Sequence, residues 1–528
     1  MDRRTLLHRL GRQAAALALA QLFGPARAQG AQGALGAPAR WPAGVGDPFT
    51  LGVASGMPRP DSVVIWTRLA PQPHESGGGL PPVPLAVRWE LAEDERFSVG
   101  LRRGEFLARP EHAHAVHVEV NGLASGRAWF YRFIAGGAVS AVGRTRTAPA
   151  EDEPVARLRL ALASCQHYEQ GWYAAHREIA ARELDVVLFV GDYIYESSNP
   201  RHQVRQHEGP VPQTLDAYRA RHATYKLDAD LRAAHAAHPW ILTWDDHEVE
   251  NDYAGDASPS GLDTAAFLRR RAAAYQAWFE HLPVSPTMAP NGPAMRIHDR
   301  YRWGRLAELW TLDGRQYRSV HACGDKGAAG GRSISTDCAE LANPARSVFG
   351  AAQERWLAEG LAQSTRAWKL LAQGSQVSPA GVAVPGLARR IYSDGWDGYP
   401  LARERLLDAI AAAGGNTIVL GGDVHRHVAA QLRRRPDDAR SPIVAAEFVT
   451  TSITSRGIAE PLMTAIRASN PDLLHARSDE RGYTFLEVTP QAAHCDFRAT
   501  PYPAQPGAAL YSQARFSVAA GQPGVVRD

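Results

Sequence analysis

A chain of 528 residues is too long for one small core and suggests two globular domains with additional segments. With 45% hydrophobic and 21% charged residues it has the makeup of an ordinary soluble globular protein. The net charge is only +3, and the arginines are interspersed with acids rather than massed in runs, so nucleic-acid-specific binding is not expected.

The N-terminus is set apart from the fold. Arg3-Arg4 precede a short apolar stretch from Ala14 to Phe23, and Ala26-Arg27-Ala28 has the form of a cleavage site. The stretch is too short to span a bilayer, so residues 1–28 read as a cleaved signal. The paired arginines match a twin-arginine (Tat) signal, which exports folded proteins; the alternative is an ordinary Sec signal. The chain is therefore expected to engage the Tat machinery and to reside in the periplasm or outside the cell. No later run has eighteen consecutive apolar residues, so no stable membrane insertion is expected.

Residues 29–46, rich in Gly, Ala and Pro, read as a linker. Residues 47–147 carry short β-strand patterns separated by Gly/Pro turns: Val63–Trp66, Leu85–Trp89, Ala115–Val120 and Trp129–Phe133. They predict an all-β sandwich of the immunoglobulin or fibronectin kind. A second linker, 148–154, precedes an α/β pattern over 155–510, with 511–528 set apart as a C-terminal tail. Strands are predicted at Leu158–Ala163, Val186–Val190, Trp240–Trp244, Leu306–Leu312, Leu370–Gln373, Thr417–Leu420 and Ala446–Val449. Helices are predicted over Gly171–Leu184, Ala265–Glu280, Ala351–Gln363 and Leu401–Ala412. Alternation of this kind implies a layered α/β domain.

Four of these strands end in potential metal ligands: Ser164-Cys165-Gln166-His167, Gly191-Asp192-Tyr193-Ile194-Tyr195-Glu196, Asp245-Asp246-His247-Glu248 with Asn251 beyond, and Gly422-Asp423-Val424-His425. Sites in α/β sheets form outside the carboxyl ends of strands. Asp423 and His425 are two apart, so in extended chain both face one side. Asp192 could bridge two metals while Tyr195 reaches one of them. Alone, Cys165 reads as a buried small hydrophobe and Asp245-Asp246-His247-Glu248 as an acidic helix start; taken in order along alternating strands, the set points to a binuclear centre. Thiolate, phenolate, carboxylate and imidazole suit iron in a high oxidation state, and Asp with Asn suits a hard cation such as Ca²⁺. Two metals about 4 Å apart can activate a water and clamp a phosphoryl group in line.

Four cysteines allow three complete pairings. Cys323 and Cys338, on either side of a Gly-rich loop, are the natural disulfide; two free thiols there are the alternative.

These motifs together resemble the PhoD-type alkaline phosphatases, within the calcineurin-like and purple-acid-phosphatase-like metallophosphoesterases. The resemblance covers nearly the whole chain. It includes Leu51–Gly56, Trp66–Leu69, Leu312–Arg318, Trp396–Pro400 and the four ligand segments. Leu312-Asp313-Gly314-Arg315 carries Gly where such proteins often have Thr. The resemblance implies an exported phosphatase with Fe³⁺ and Ca²⁺, hydrolysing phosphate monoesters, with diesters left open, by attack of a metal-bound hydroxide. On matching positions Cys165, Asp192, Tyr195 and His425 would hold iron. Asp192 would bridge to calcium, with Asn251 and Asp423 on that side. Asp246 competes with Asn251 for this role, with Asn251 favoured. His247 would sit at the leaving-group oxygen, with Asp246 as its catalytic neighbour. Arg315, Trp396 and Tyr399 would contact substrate. The rival readings are a phosphodiesterase or phospholipase D acting on phospholipid or cell-wall polymer, and a binding β-sandwich joined to a degenerate hydrolase scaffold. No Gly-x-Ser-x-Gly elbow supports a serine nucleophile. Oligomeric state is not legible.

Overall fold

The structure is a computed structural model that describes residues 41–42, 44–199, 203–324 and 329–528. The signal segment 1–28 and most of the first linker lie outside these residues. Among the described residues no helix is long and apolar enough to cross a membrane.

Two large sheets organise the chain. The first has ten strands, with Leu158–Ala163, Val186–Val190 and Pro239–Thr243 running parallel at its centre. The second has seven, with Ala307–Thr311, Trp368–Ala372, Asn416–Gly421 and Ile443–Val449 parallel in that order. The strand at Val186–Val190 is buried at every position, the continuous apolar run expected of a parallel strand covered on both faces. In the second sheet the two-residue period sorts side chains between two cores. Leu370, Ala372, Ile418, Leu420, Ala446 and Phe448 pack in the cluster that also holds Leu160, Leu162, Leu188 and Val190 of the first sheet. Leu371, Val419 and Ala445 instead meet the helices Gly350–Gln363 and Pro400–Ala413. The first sheet is flanked by Ala174–Ala181, Leu215–Lys226, Ala229–Ala237 and Thr264–His281. The α/β layering is therefore helix, sheet, sheet, helix.

The β-rich N-terminal region is present, but it is joined to the α/β part by more than a linker. Leu85–Ala92, Arg102–Ala108, Ala128–Ala135, Ala138–Val139 and Gly143–Arg146 form a five-stranded sheet of their own. Val53–Gly56, Ser62–Arg68 and Ala115–Asn121 instead extend the ten-stranded sheet, Val53–Gly56 pairing in parallel with Pro239–Thr243. The segment set apart as a C-terminal tail is a correction: Tyr511–Ala519 is a strand of the same sheet, paired with Ala492–Thr500, and buries Phe516 and Val518. Its alternation of exposed and buried positions is that of a strand with one covered face.

Cys323 and Cys338 form a disulfide. By the chain-entropy model a loop of this size contributes roughly 3 kcal/mol. Cys165 and Cys495 are buried free thiols.

Candidate metal centre

Three of the ligand segments follow neighbouring strands of the first sheet, and the fourth follows Asn416–Gly421 of the second sheet, whose side chains share a core with the first. Cys165 N–H donates to the Gly191 carbonyl at 3.1 Å, and Gln166 N–H to the Asp192 carbonyl at 3.1 Å, so the first two loops are stitched together just beyond their strands. Gly191 and Gly422 allow the close approach. A Cβ at Gly191 would lie 2.6 Å from Asp245 Cβ, and one at Gly422 would lie 2.5 Å from Ser164 Oγ. Cys165, Asp192, Asp423 and His425 themselves have φ between 51° and 63°, a left-handed backbone that costs non-glycine residues energy and turns their side chains inward. Glu248, given no separate role in the sequence reading, holds two loops at once. Its carboxylate accepts from Tyr193 N–H at 2.7 Å and from Asp245 N–H at 3.0 Å.

Two donor groups result, and they share one residue. Ligand atoms of Cys165, Asp192 and His425 lie within 4.8 Å of one another, and so do those of Asp192, Asp246 and His247. Tyr195 joins the first group: its Oη donates to Asp192 Oδ2 at 2.8 Å and lies 3.1 Å from His425 Nε2. Asp423 accepts from Ser375 Oγ at 2.7 Å. Asn251 is an exposed residue of the same cavity, its backbone N–H donating to Glu196 at 3.0 Å.

The donors fit cations. Asp192 Oδ1 and Asp246 Oδ1 are buried with no hydrogen-bond partner, a costly state for a carboxylate oxygen unless a ligand completes it. Burial pushes the Asp192 and Asp423 carboxyls well above the usual range, and neighbouring carboxylates push further, outweighing the opposing pull of His247 and Arg315. Burial, then the Asp192 charge, likewise raises Cys165 and Tyr195. Acids packed this closely are held as anions together only by positive charge. His425 is prepared as a ligand. Its Nδ1 lies 2.7 Å from the Arg456 carbonyl, which can only accept, so Nδ1 carries the proton and Nε2 a lone pair.

His247 stands in a different environment. Its Nδ1 is 2.6 Å from Glu196 Oε2. Burial opposes its charged form, but Glu196, Asp246 and Asp192 outweigh that and hold it well above the ordinary histidine range. Glu196 is a functional partner that sequence reasoning left unassigned, although it closes the Gly191–Glu196 motif.

A cavity of about 480 Å³ opens onto Asp192, Asp246, His247, Asp423 and His425. Of the three expected substrate contacts, Trp396 is on its wall, with Nε1–H donating to Gln373 at 3.1 Å. The structure corrects the expectation for the other two. Tyr399 is buried away from the lining, its hydroxyl donating to the Ser319 carbonyl at 2.6 Å. Arg315 is wholly buried, donating to Asp245 at 2.6 and 3.0 Å and to Asp394 at 2.7 and 2.9 Å. Five donors in a planar fork let it bind two carboxylates at once, so it ties the loop bearing Asp246 to the loop bearing Trp396 instead of reaching substrate. The guanidinium on the cavity wall is Arg426, whose Nε and Nη2 both donate to Gln376 Oε1 and which forms no ion pair among the described residues. Arg426 directly follows His425 in the glycine-led strand-end segment, but sequence reasoning gave it no role.

Comparison with known proteins covers most of the chain. Residues 160–497 match the model of the PhoD-like phosphatase family, and residues 36–149 match its N-terminal domain. Alkaline phosphatase D of Bacillus subtilis (strain 168) is 44% identical over 488 residues, covering 90% of this chain and 82% of that protein. A solved structure of PhoD superposes with a TM-score of 0.87 at 42% identity, covering 92% of this chain and 93% of that one. With both parts matched in order, the chain is a phosphoric ester hydrolase and belongs to the PhoD-like phosphatase family.

Proposed function

We propose that this phosphatase is exported by the Tat route and hydrolyses phosphate monoesters and diesters at a binuclear site that takes Fe³⁺ and Ca²⁺. The observation that carries the reading is the pair of donor groups meeting at Asp192. Cys165, Tyr195 and His425, with Asp192, would offer the thiolate, phenolate, imidazole and carboxylate that suit ferric iron. Asp192, with Asp423 and Asp246 or Asn251, would offer the oxygen-rich surroundings that suit calcium. Asp246 is supported by its buried Oδ1, which has no hydrogen bond and only Arg315 Nη2 at 3.6 Å, while its Oδ2 accepts from Asp252 N–H at 2.5 Å. When bound, the cations supply positive charge at the phosphoryl oxygens and make a water a better nucleophile.

The residues of the chain do the rest. Ser375 and the Arg456 carbonyl hold Asp423 and His425 in the orientations that ligation needs. Glu196 fixes the His247 ring through Nδ1, which leaves Nε2 to hydrogen-bond the ester oxygen and protonate it as it departs. Displacement is direct: a water oxygen bonds to phosphorus as the ester P–O bond breaks, the alcohol leaves with the proton from His247, and the proton the water releases restores His247.

Metal analysis of the folded protein beside phosphate release tests this assignment. Cys165→Ala should lower iron content and turnover together, and a visible charge-transfer band should weaken with them; full iron occupancy in that variant would falsify the ligand set. Export is tested separately. Arg3→Lys with Arg4→Lys should leave unprocessed precursor inside the cell, whereas normal processing of the double variant would rule out the Tat route.

A further inference from the structure

The cavity has two chemically unlike ends. Beyond the carboxylates and histidines lie Ala380, Val424, Ile458, Leu462 and Ile466. At about 480 Å³ it falls among cavities that accept drug-sized ligands, so a phosphoryl group occupies only part of it.

The apolar end is a built wall. It is carried by the helix Glu460–Ser469, with Pro461 in its first turn. Met463 and Ile466 bury against Val428, Val449, Leu473 and Ala476, and Val424, Ile458 and Ala380 pack on the same cluster. This anchoring leaves Leu462, next to the inward-facing Met463, on the cavity wall with 47% of its surface exposed. The wall is also tied to the metal centre. The Arg456 carbonyl that accepts from His425 lies six residues before Leu462 along the chain. Between them, a Cβ at Gly457 would lie 2.8 Å from the His425 carbonyl and 2.0 Å from Ser478 Oγ, so the entry to the helix is pressed against the ligand loop. Ser478 Oγ then accepts from Ile458 N–H at 2.9 Å. Apolar side chains held open to water beside a carboxylate-rich centre gain free energy only when something apolar covers them.

We propose that this wall is a subsite for the alcohol part of the substrate, and that the enzyme prefers phosphate esters of apolar aliphatic or aromatic alcohols. The inference rests on the hydrolase reading above. With the phosphoryl group at the carboxylate end, the departing alcohol is the substrate portion that extends toward Ile458 and Leu462.

A series of n-alkyl phosphates from ethyl to octyl tests it, each used below its micelle concentration so that a pocket rather than an interface is read. Leaving-group basicity is nearly constant along such a series, so the slope reports contact. Full burial corresponds to about fourfold per methylene (~0.8 kcal/mol). The expected result is a rise in kcat/KM of about two- to fourfold per methylene until the wall is covered, with a shallower slope in Leu462→Ser. Matched n-alkylphosphonates, assayed as inhibitors of the unaltered enzyme, should tighten with the same chain-length dependence and need no variant to fold. Hydrolysis with no chain-length dependence, or a slope that Leu462→Ser and Ile458→Asn both leave intact, would overturn the subsite alone. No release of phosphate from any ester, 4-nitrophenyl phosphate included, would remove the hydrolase reading and the subsite with it.

Discussion

Asp192→Asn is expected to lower kcat/KM by more than about a hundredfold and to deplete both cations. Loss of a residue that merely orients a metal ligand typically costs ten- to a hundredfold, and Asp192 belongs to both donor groups. The substitution is nearly isosteric, and position 192 keeps its left-handed backbone, a conformation that asparagine tolerates. The change is therefore one of charge and of one donor oxygen. The amide nitrogen that replaces an oxygen cannot ligate, and the neighbouring acids lose the cations that offset their repulsion. Metal content and phosphate release measured on the same preparation decide the point. Retention of either cation at full occupancy would show that Asp192 is not shared.

Arg315→Met is expected to destabilise the fold by about 3–5 kcal/mol, the usual consequence of removing one partner from a buried charge network. Asp394 would still be served by Arg318 at 2.7 Å and by His321 at 2.7 Å, but Asp245 would lose its ion-pair partner among the described residues while remaining buried. Burial already raises Asp245 to about 6 despite Arg315, so without the guanidinium it would protonate or distort its loop. Because Asp246 follows directly, turnover should fall along with stability. Arg315→Lys should rescue little, since one ammonium cannot span two carboxylates in the same planar geometry. Denaturant midpoints for the three proteins test this; an unshifted midpoint for Arg315→Met would remove the network from the stability of the fold.

The grouping of the candidate metal centre was legible because its signal is local. Cys165, Asp192, Asp246 and Asp423 each follow an apolar strand, and a glycine precedes two of them, so the segments announce strand ends whose side chains must turn inward. The apolar wall was not legible. The helix Glu460–Ser469 is only ten residues long, and the serine- and threonine-rich stretch before it reads as loop, so nothing local ties Leu462 or Ile466 to the site. The roles of Arg315 and Arg426 were also hidden. Both are arginines near ligand motifs, yet one is locked between carboxylates 70 and 79 residues away and the other faces the cavity beside Gln376, 50 residues away.

From its sequence alone the protein was determined to be a layered α/β hydrolase with a β-rich N-terminal region and candidate metal ligands at strand ends. Period-two burial and residue type are local properties that the chain states directly. Only the tertiary structure decided that the N-terminal strands extend the catalytic sheet, that the C-terminal segment is a strand, and which arginine meets the cavity. Those outcomes depend on strand pairing and side-chain direction between distant segments. There, burial of charge against a chosen partner selects the arrangement, and no spacing along the chain encodes that partner.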